Sequence, residues 1–130
     1  DYIYELKINS EINNIQSSII KIINNKLKKQ DEKKNHNFNG VKLIIHSKIL
    51  LENLNEEIKD KQVTSNLYDF LGKFAKSNSN IKEALTYFEK SYEIRKNKTT
   101  NDISDPDIAT SLGNIGSVFS SIGEYENALK

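Results

Sequence analysis

The chain contains no cysteine, methionine or tryptophan, and its 130 residues include a single proline. Without cysteine, disulfides and thiolate metal sites are excluded, and the redox compartment leaves no trace. An excess of charge of one sign is missing too. Nineteen basic and 18 acidic side chains leave a net charge of +1. That balance gives no electrostatic footing for nucleic acid or an anionic membrane. No apolar run approaches the ~18 residues of a membrane span, and no leader-type segment is visible. Hydrophobic residues make up 36% of the chain. They are mostly Ile and Leu in periodic order, so a core requires helices that pair.

Catalytic patterns are equally scarce. His36 and His46 stand ten apart, which places no pair on one helix face, and no carboxylate pattern accompanies them. Both read as surface or boundary histidines. Gly113-Asn114-Ile115-Gly116 lacks the Lys-Ser/Thr ending and the preceding strand of a phosphate loop. No enzyme activity and no cofactor are therefore expected.

What the chain does have is helix-period patterning with cap signals. Ile8, Ile12, Ile15, Ile19 and Ile22 recur at spacings of four and three, predicting one long helix over about Tyr2–Lys29. Two heptads are too short to argue a coiled coil from sequence. Branching at Cβ leaves a strand over Ile19–Ile23 as the alternative. Lys28–Asn39 is polar, mixed in charge and reads as a linker. A second amphipathic helix is expected over Val41–Lys61, with Ile44, Leu51, Leu54 and Ile58 on one face and Asn37 or Asn39 as its cap. A third begins near Thr64 or Ser65 and ends near Ser77, where Ser77-Asn78-Ser79-Asn80 is turn chemistry. Asn80 and Glu83 form a loose capping box for a fourth helix that fades at Lys96. Asp105-Pro106-Asp107 is the clearest start signal, for a fifth helix running to about Ser121. Ile122-Gly123 then reads as a turn into a sixth.

One motif occurs twice. Gly72 laid over Gly116 puts Ala84-Leu85 over Ala128-Leu129, because 116 − 72 and 128 − 84 are both 44. Self-similarity at a fixed period marks an architecture in which each unit buries its apolar face by stacking on neighbours. Small residues at Gly72 and Gly116 would let one helix lie close to the next, with Ala84 and Ala128 as matching small contacts. The chain contains no Met and stops inside the second copy, so the expectation is a fragment whose last repeat is truncated. Val118 and Phe119 should then be under-covered and open to self-association.

Tyr68, Leu71 and Gly72 followed by Ala84 and Phe88, and Leu112, Ile115, Gly116, Phe119 and Ala128 again, resemble the tetratricopeptide repeat. The phrase DPDIATSLGNIGSVF is similar to the long, kinesin light chain-like type. The likeness covers about half the chain. Ala75 departs from the family's Tyr, Ser79 from its turn Gly, and no Pro closes the second helix. The resemblance implies an all-α, right-handed α-solenoid of helix-turn-helix repeats over residues 64–130. Residues 1–63 are then an N-terminal helical segment, either a degenerate repeat or a cap.

It also implies a cytoplasmic protein–protein interaction scaffold that takes a short peptide or partner helix in a concave groove. The groove positions are Asn66, Asp69, Phe70, Lys73, Thr110, Gly113, Asn114 and Ser117. Asn114 matches an Asn that in such repeats bonds a peptide backbone, while Phe70 stands in its place in the first copy. Asp69 and Lys73, four apart, read otherwise as a simple helix ion pair. The rival class is a regulatory repeat segment of a larger enzyme or signalling ATPase. Helical-repeat RNA binding is disfavoured by the balanced charge.

Overall fold

The computed structural model describes residues 2–33, 38–98 and 105–129. It is helical, with no strand among the described residues. The elements are α1 (Tyr2–Lys33), α2 (Phe38–Glu52), α3 (Glu56–Lys59), α4 (Gln62–Ser77), α5 (Ile81–Lys98) and α6 (Pro106–Ala128). The chain divides into two compact units, Asp1–Leu67 and Tyr68–Lys130. His36 and Asn37 lie outside the described residues.

In the first unit α1 is a helix through Ile19–Ile23, so the strand alternative falls. It continues past Lys29 to Lys33, into the segment expected as a linker. The five evenly spaced isoleucines do share a face, but that face is exposed. The buried side of α1 carries Ile20 and Ile23 instead, flanked by the amides of Asn13, Gln16 and Asn24.

Those amides explain why the helix expected over Val41–Lys61 is broken. α2 stops at Glu52 and α3 starts at Glu56. At the break, Gln16 Oε1 accepts the Asn55 N–H at 3.0 Å, and Gln16 Nε2 donates to the Asn53 carbonyl at 3.3 Å. A side-chain amide thus takes backbone groups that a continuous helix would have satisfied internally. Asn13 accepts from Asn55 Nδ2 at 2.8 Å and donates to Glu57. Ile44, Leu51, Leu54 and Ile58 are all buried as their pattern requires, though on two helices and the link between them rather than on one helix. Thr64 and Ser65 do not cap α4, which starts at Gln62. The Thr64 hydroxyl donates to the Ile58 carbonyl at 2.7 Å and that of Ser65 to Gln62 at 2.7 Å. Asn39 lies inside α2 rather than capping it.

The second unit follows its local signals closely up to α6. α4 ends as expected at Ser77. Ser79 then takes φ 62°, the left-handed conformation that usually demands glycine. The Asn80 N–H reaches back to the Ala75 carbonyl at 2.8 Å and the Ser79 N–H to Lys76 at 3.0 Å. These two bonds are the Schellman pattern and hold the strained serine in place. Asn80 also opens α5. Its Oδ1 accepts the Glu83 N–H at 3.4 Å and its Nδ2 donates to the Glu83 carboxylate. Asp105 caps α6 through the Asp107 N–H at 2.9 Å.

The returning α5 lies close to α4 at one point. A Cβ added at Gly72 would come within 2.5 Å of the Phe88 ring, and Phe88 is fully buried. Ala75, Ala84, Phe88 and Val118 form the core, with Ile81, Leu85, Ile115 and Ile122 packed on it. Val118 was expected to be under-covered; it is fully buried, because α5 supplies its neighbours.

The second motif copy behaves differently. α6 is one helix from Pro106 to Ala128 and passes straight through Ile122-Gly123. The expected turn and sixth helix are absent from the described residues. Among the described residues no helix folds back on Gly116, and an added Cβ there would meet nothing within 4 Å. Its expected role as a close-packing glycine does not hold.

Candidate functional site

The groove positions fall in both units. Asn66 lies in the first, half-buried, with its Oδ1 accepting from Gln62 Nε2 at 3.3 Å. The other seven belong to the second, on α4 and α6.

Asp69 is buried at 8% exposure, which a carboxylate tolerates only with a partner. That partner is not Lys73. Lys73 is exposed, and its ammonium sits 5.8 Å from the centre of the Phe70 ring. Asp69 Oδ2 instead pairs at 2.8 Å with Nη2 of Arg95, itself buried on α5. Arg95 Nη1 donates at 2.8 Å to the Ser111 hydroxyl and at 3.5 Å to the Asp107 carbonyl. One guanidinium therefore joins α4, α5 and the first turns of α6. Its planar fork supplies several fixed donors, which an ammonium could not do in the same place.

Sequence spacing gave no hint of this link, since Asp69 and Arg95 are 26 apart. A compositional signal did exist. Arg95 is the single arginine among 19 basic residues. A chain that uses lysine at every other basic position and arginine once marks a position where geometry matters.

On α6 the residues around and after Ser111 carry the remaining candidates. Thr110 is exposed and its hydroxyl donates to the Pro106 carbonyl at 2.8 Å. Gly113 is exposed and faces open space. Ser117 is half-buried and donates to the Asn114 carbonyl at 2.7 Å. Both hydroxyls are thus spent on their own helix. Asn114 differs. Its Nδ2 is buried and has no hydrogen-bond partner, and Asp69 Oδ1 is likewise buried and unpaired. A buried polar atom without a partner costs about 1–3 kcal/mol, so each has capacity in reserve for a ligand or water.

Among the described residues no group of three His, Asp or Glu side chains could hold a metal ion. No described helix is long and apolar enough to cross a membrane. The fold and site define an all-helical chain whose second unit is tied by one buried arginine. The chain matches no protein-family profile, no curated protein and no solved structure.

Proposed function

We propose that the second unit is a tetratricopeptide-like binding module, part of a right-handed helical array that takes a short peptide or a partner helix. It acts as a scaffold and carries out no chemistry of its own. The observation that carries this reading is the unpaired Nδ2 of Asn114. The Asn114 side chain is half-buried, and turned outward its unsatisfied amide donor would suit an extended peptide, whose carbonyls recur along its length. The Asp69–Arg95–Ser111 link supports it by fixing α4 and α6 to α5, so the surface is organised before a ligand arrives. The close fit of Gly72 on Phe88 supports the repeat-type hairpin of α4 and α5. Leu112 and Phe119 stand 43% and 58% exposed on α6, which suits a further helix against that side.

A random-peptide phage library panned against the chain tests the reading. Enriched peptides should bind Asn114→Ala roughly tenfold more weakly, the loss of about one hydrogen bond to a buried donor. No enrichment, or equal binding by the variant, overturns it.

A further inference from the structure

α1 presents two separate apolar stripes. One, with Ile20 and Ile23, is buried in the first unit. The other carries Ile8, Ile12, Ile15, Ile19 and Ile22, all between 37% and 58% exposed. At 3.6 residues per turn the two stripes are centred roughly 90° apart, so filling the first does not cover the second. The spacing of the exposed stripe is four-three-four-three. That is a heptad seam, with Ile12 and Ile19 at a and Ile8, Ile15 and Ile22 at d.

The same helix has a second unmet need. Every side chain from Tyr2 to Ile12 is exposed, including Tyr2, Ile3, Tyr4 and Leu6 at 50–73%. Helices take most of their stability from packing an apolar face. A stretch of three turns with no buried side chain requires a partner.

The charges of α1 identify that partner. Glu5 and Glu11 lie before the middle of the seam, offset only by Lys7. Lys21, Lys26 and Lys28 lie after it, with no acidic residue between Gln16 and Lys28. All six are exposed. The seam is centred on Ile15, with Glu5 ten residues before it and Lys26 eleven after. Two copies laid antiparallel about Ile15 would bring Glu5 against Lys26, and Glu11 towards Lys21, of the other copy. Ile8 would face Ile22. Of the flanking e and g positions, Asn9, Gln16, Ser18, Ile23 and Asn25 carry no charge and Glu11 alone is charged, so no row of like charges opposes the match.

We propose that two copies of this chain associate through α1, antiparallel and with Ile15 on the two-fold axis. The contact is self-complementary, as a closed two-fold interface must be. Five half-exposed isoleucines supply on the order of a few hundred Å² per copy. That is below the roughly 800 Å² per partner of a standard interface, so the pair belongs to the weak, reversible class.

Sedimentation velocity of the 130-residue chain at roughly 200 μM, well above a dissociation constant of about 10 μM, tests the proposal. A dimer is expected. Ile12→Gln/Ile15→Gln/Ile19→Gln should be monomeric, whereas Leu112→Gln/Phe119→Gln on α6 should remain dimeric. The absence of native cysteine allows a second readout independent of stability. Ile15→Cys should form a disulfide-linked dimer on oxidation, and Ile8→Cys should not. A monomeric wild type, association that survives the triple change, or equal cross-linking by Ile8→Cys overturns the proposal.

Discussion

Two stretches with the same residue register adopt different structures. Around Gly72 the chain closes into a hairpin, α4 against α5, with glycine touching phenylalanine. Around Gly116, 44 residues on, it stays a straight helix with open space at the glycine. The difference lies in the turn and in what returns across it. Asn78-Ser79-Asn80 becomes Ile122-Gly123-Glu124 in the second copy. The first version contains an N-cap residue, Asn80, with Glu83 answering it; the second puts Glu124 at the cap and Asn127 three later. Glutamate is a poor cap, so the second copy gains little by stopping. Gly123 suits the left-handed conformation better than Ser79 does, yet only Ser79 adopts it. A glycine permits a turn; caps and a packed return helix impose one.

The largest expected effect tests what locks the closed copy. Arg95→Ala should destabilise the second unit by about 3–5 kcal/mol, because it strands the buried Asp69 carboxylate. Lys73→Ala, at the partner that helix spacing suggests, should stay within ~0.5 kcal/mol. Urea unfolding of both variants measures the contrast, and equal losses would return Asp69 to Lys73. Next come the two glycines. Gly72→Leu must displace Phe88 and should lose ~1–3 kcal/mol or more. Gly116→Leu should be neutral or stabilising by up to ~1 kcal/mol, since a better helix former enters open space. Opposite shifts of the urea midpoint are expected; two similar losses would put a packed helix over Gly116. The smallest effect concerns the turn itself. Ser79→Gly relieves a left-handed serine and should raise stability by up to ~1 kcal/mol. A fall in melting temperature would show that the Ser79 side chain contributes more than its backbone strain removes.

Much of this was legible where the signal was local. The end of α4 at Ser77, the Asn80–Glu83 cap and the Asp105-Pro106 start each depend on residues within one turn of each other. The glycine fit at Gly72 is not local, since Phe88 lies 16 residues on, and it was legible because the repeated motif fixes the register of α4 against α5. What sequence could not give depends on long-range partners. Gln16 breaks the α2–α3 helix from 39 residues away. Arg95 claims Asp69 across 26 residues and displaces the nearer Lys73. The isoleucine stripe of α1 has the periodicity of a buried face, but periodicity does not say which of two faces is filled by the same chain. At the candidate site, Asn114 is singled out by the resemblance, two residues before Gly116, and its unpaired amide sets it apart from Thr110 and Ser117.

The central claim is that the second motif copy is open where the first is closed. The distance across Gly123 tests it most directly. With no native cysteine, Ala109→Cys and Glu126→Cys place two spin labels on α6 without background. A continuous helix separates these positions by 17 residues, about 26 Å along the axis. A hairpin turning at Ile122-Gly123 would bring them to about 17 Å, one interaxial spacing apart with the ends drawn back. Dipolar spectroscopy should give a single distribution centred near the longer distance. A distribution centred near the shorter one would contradict the account and make the two copies alike.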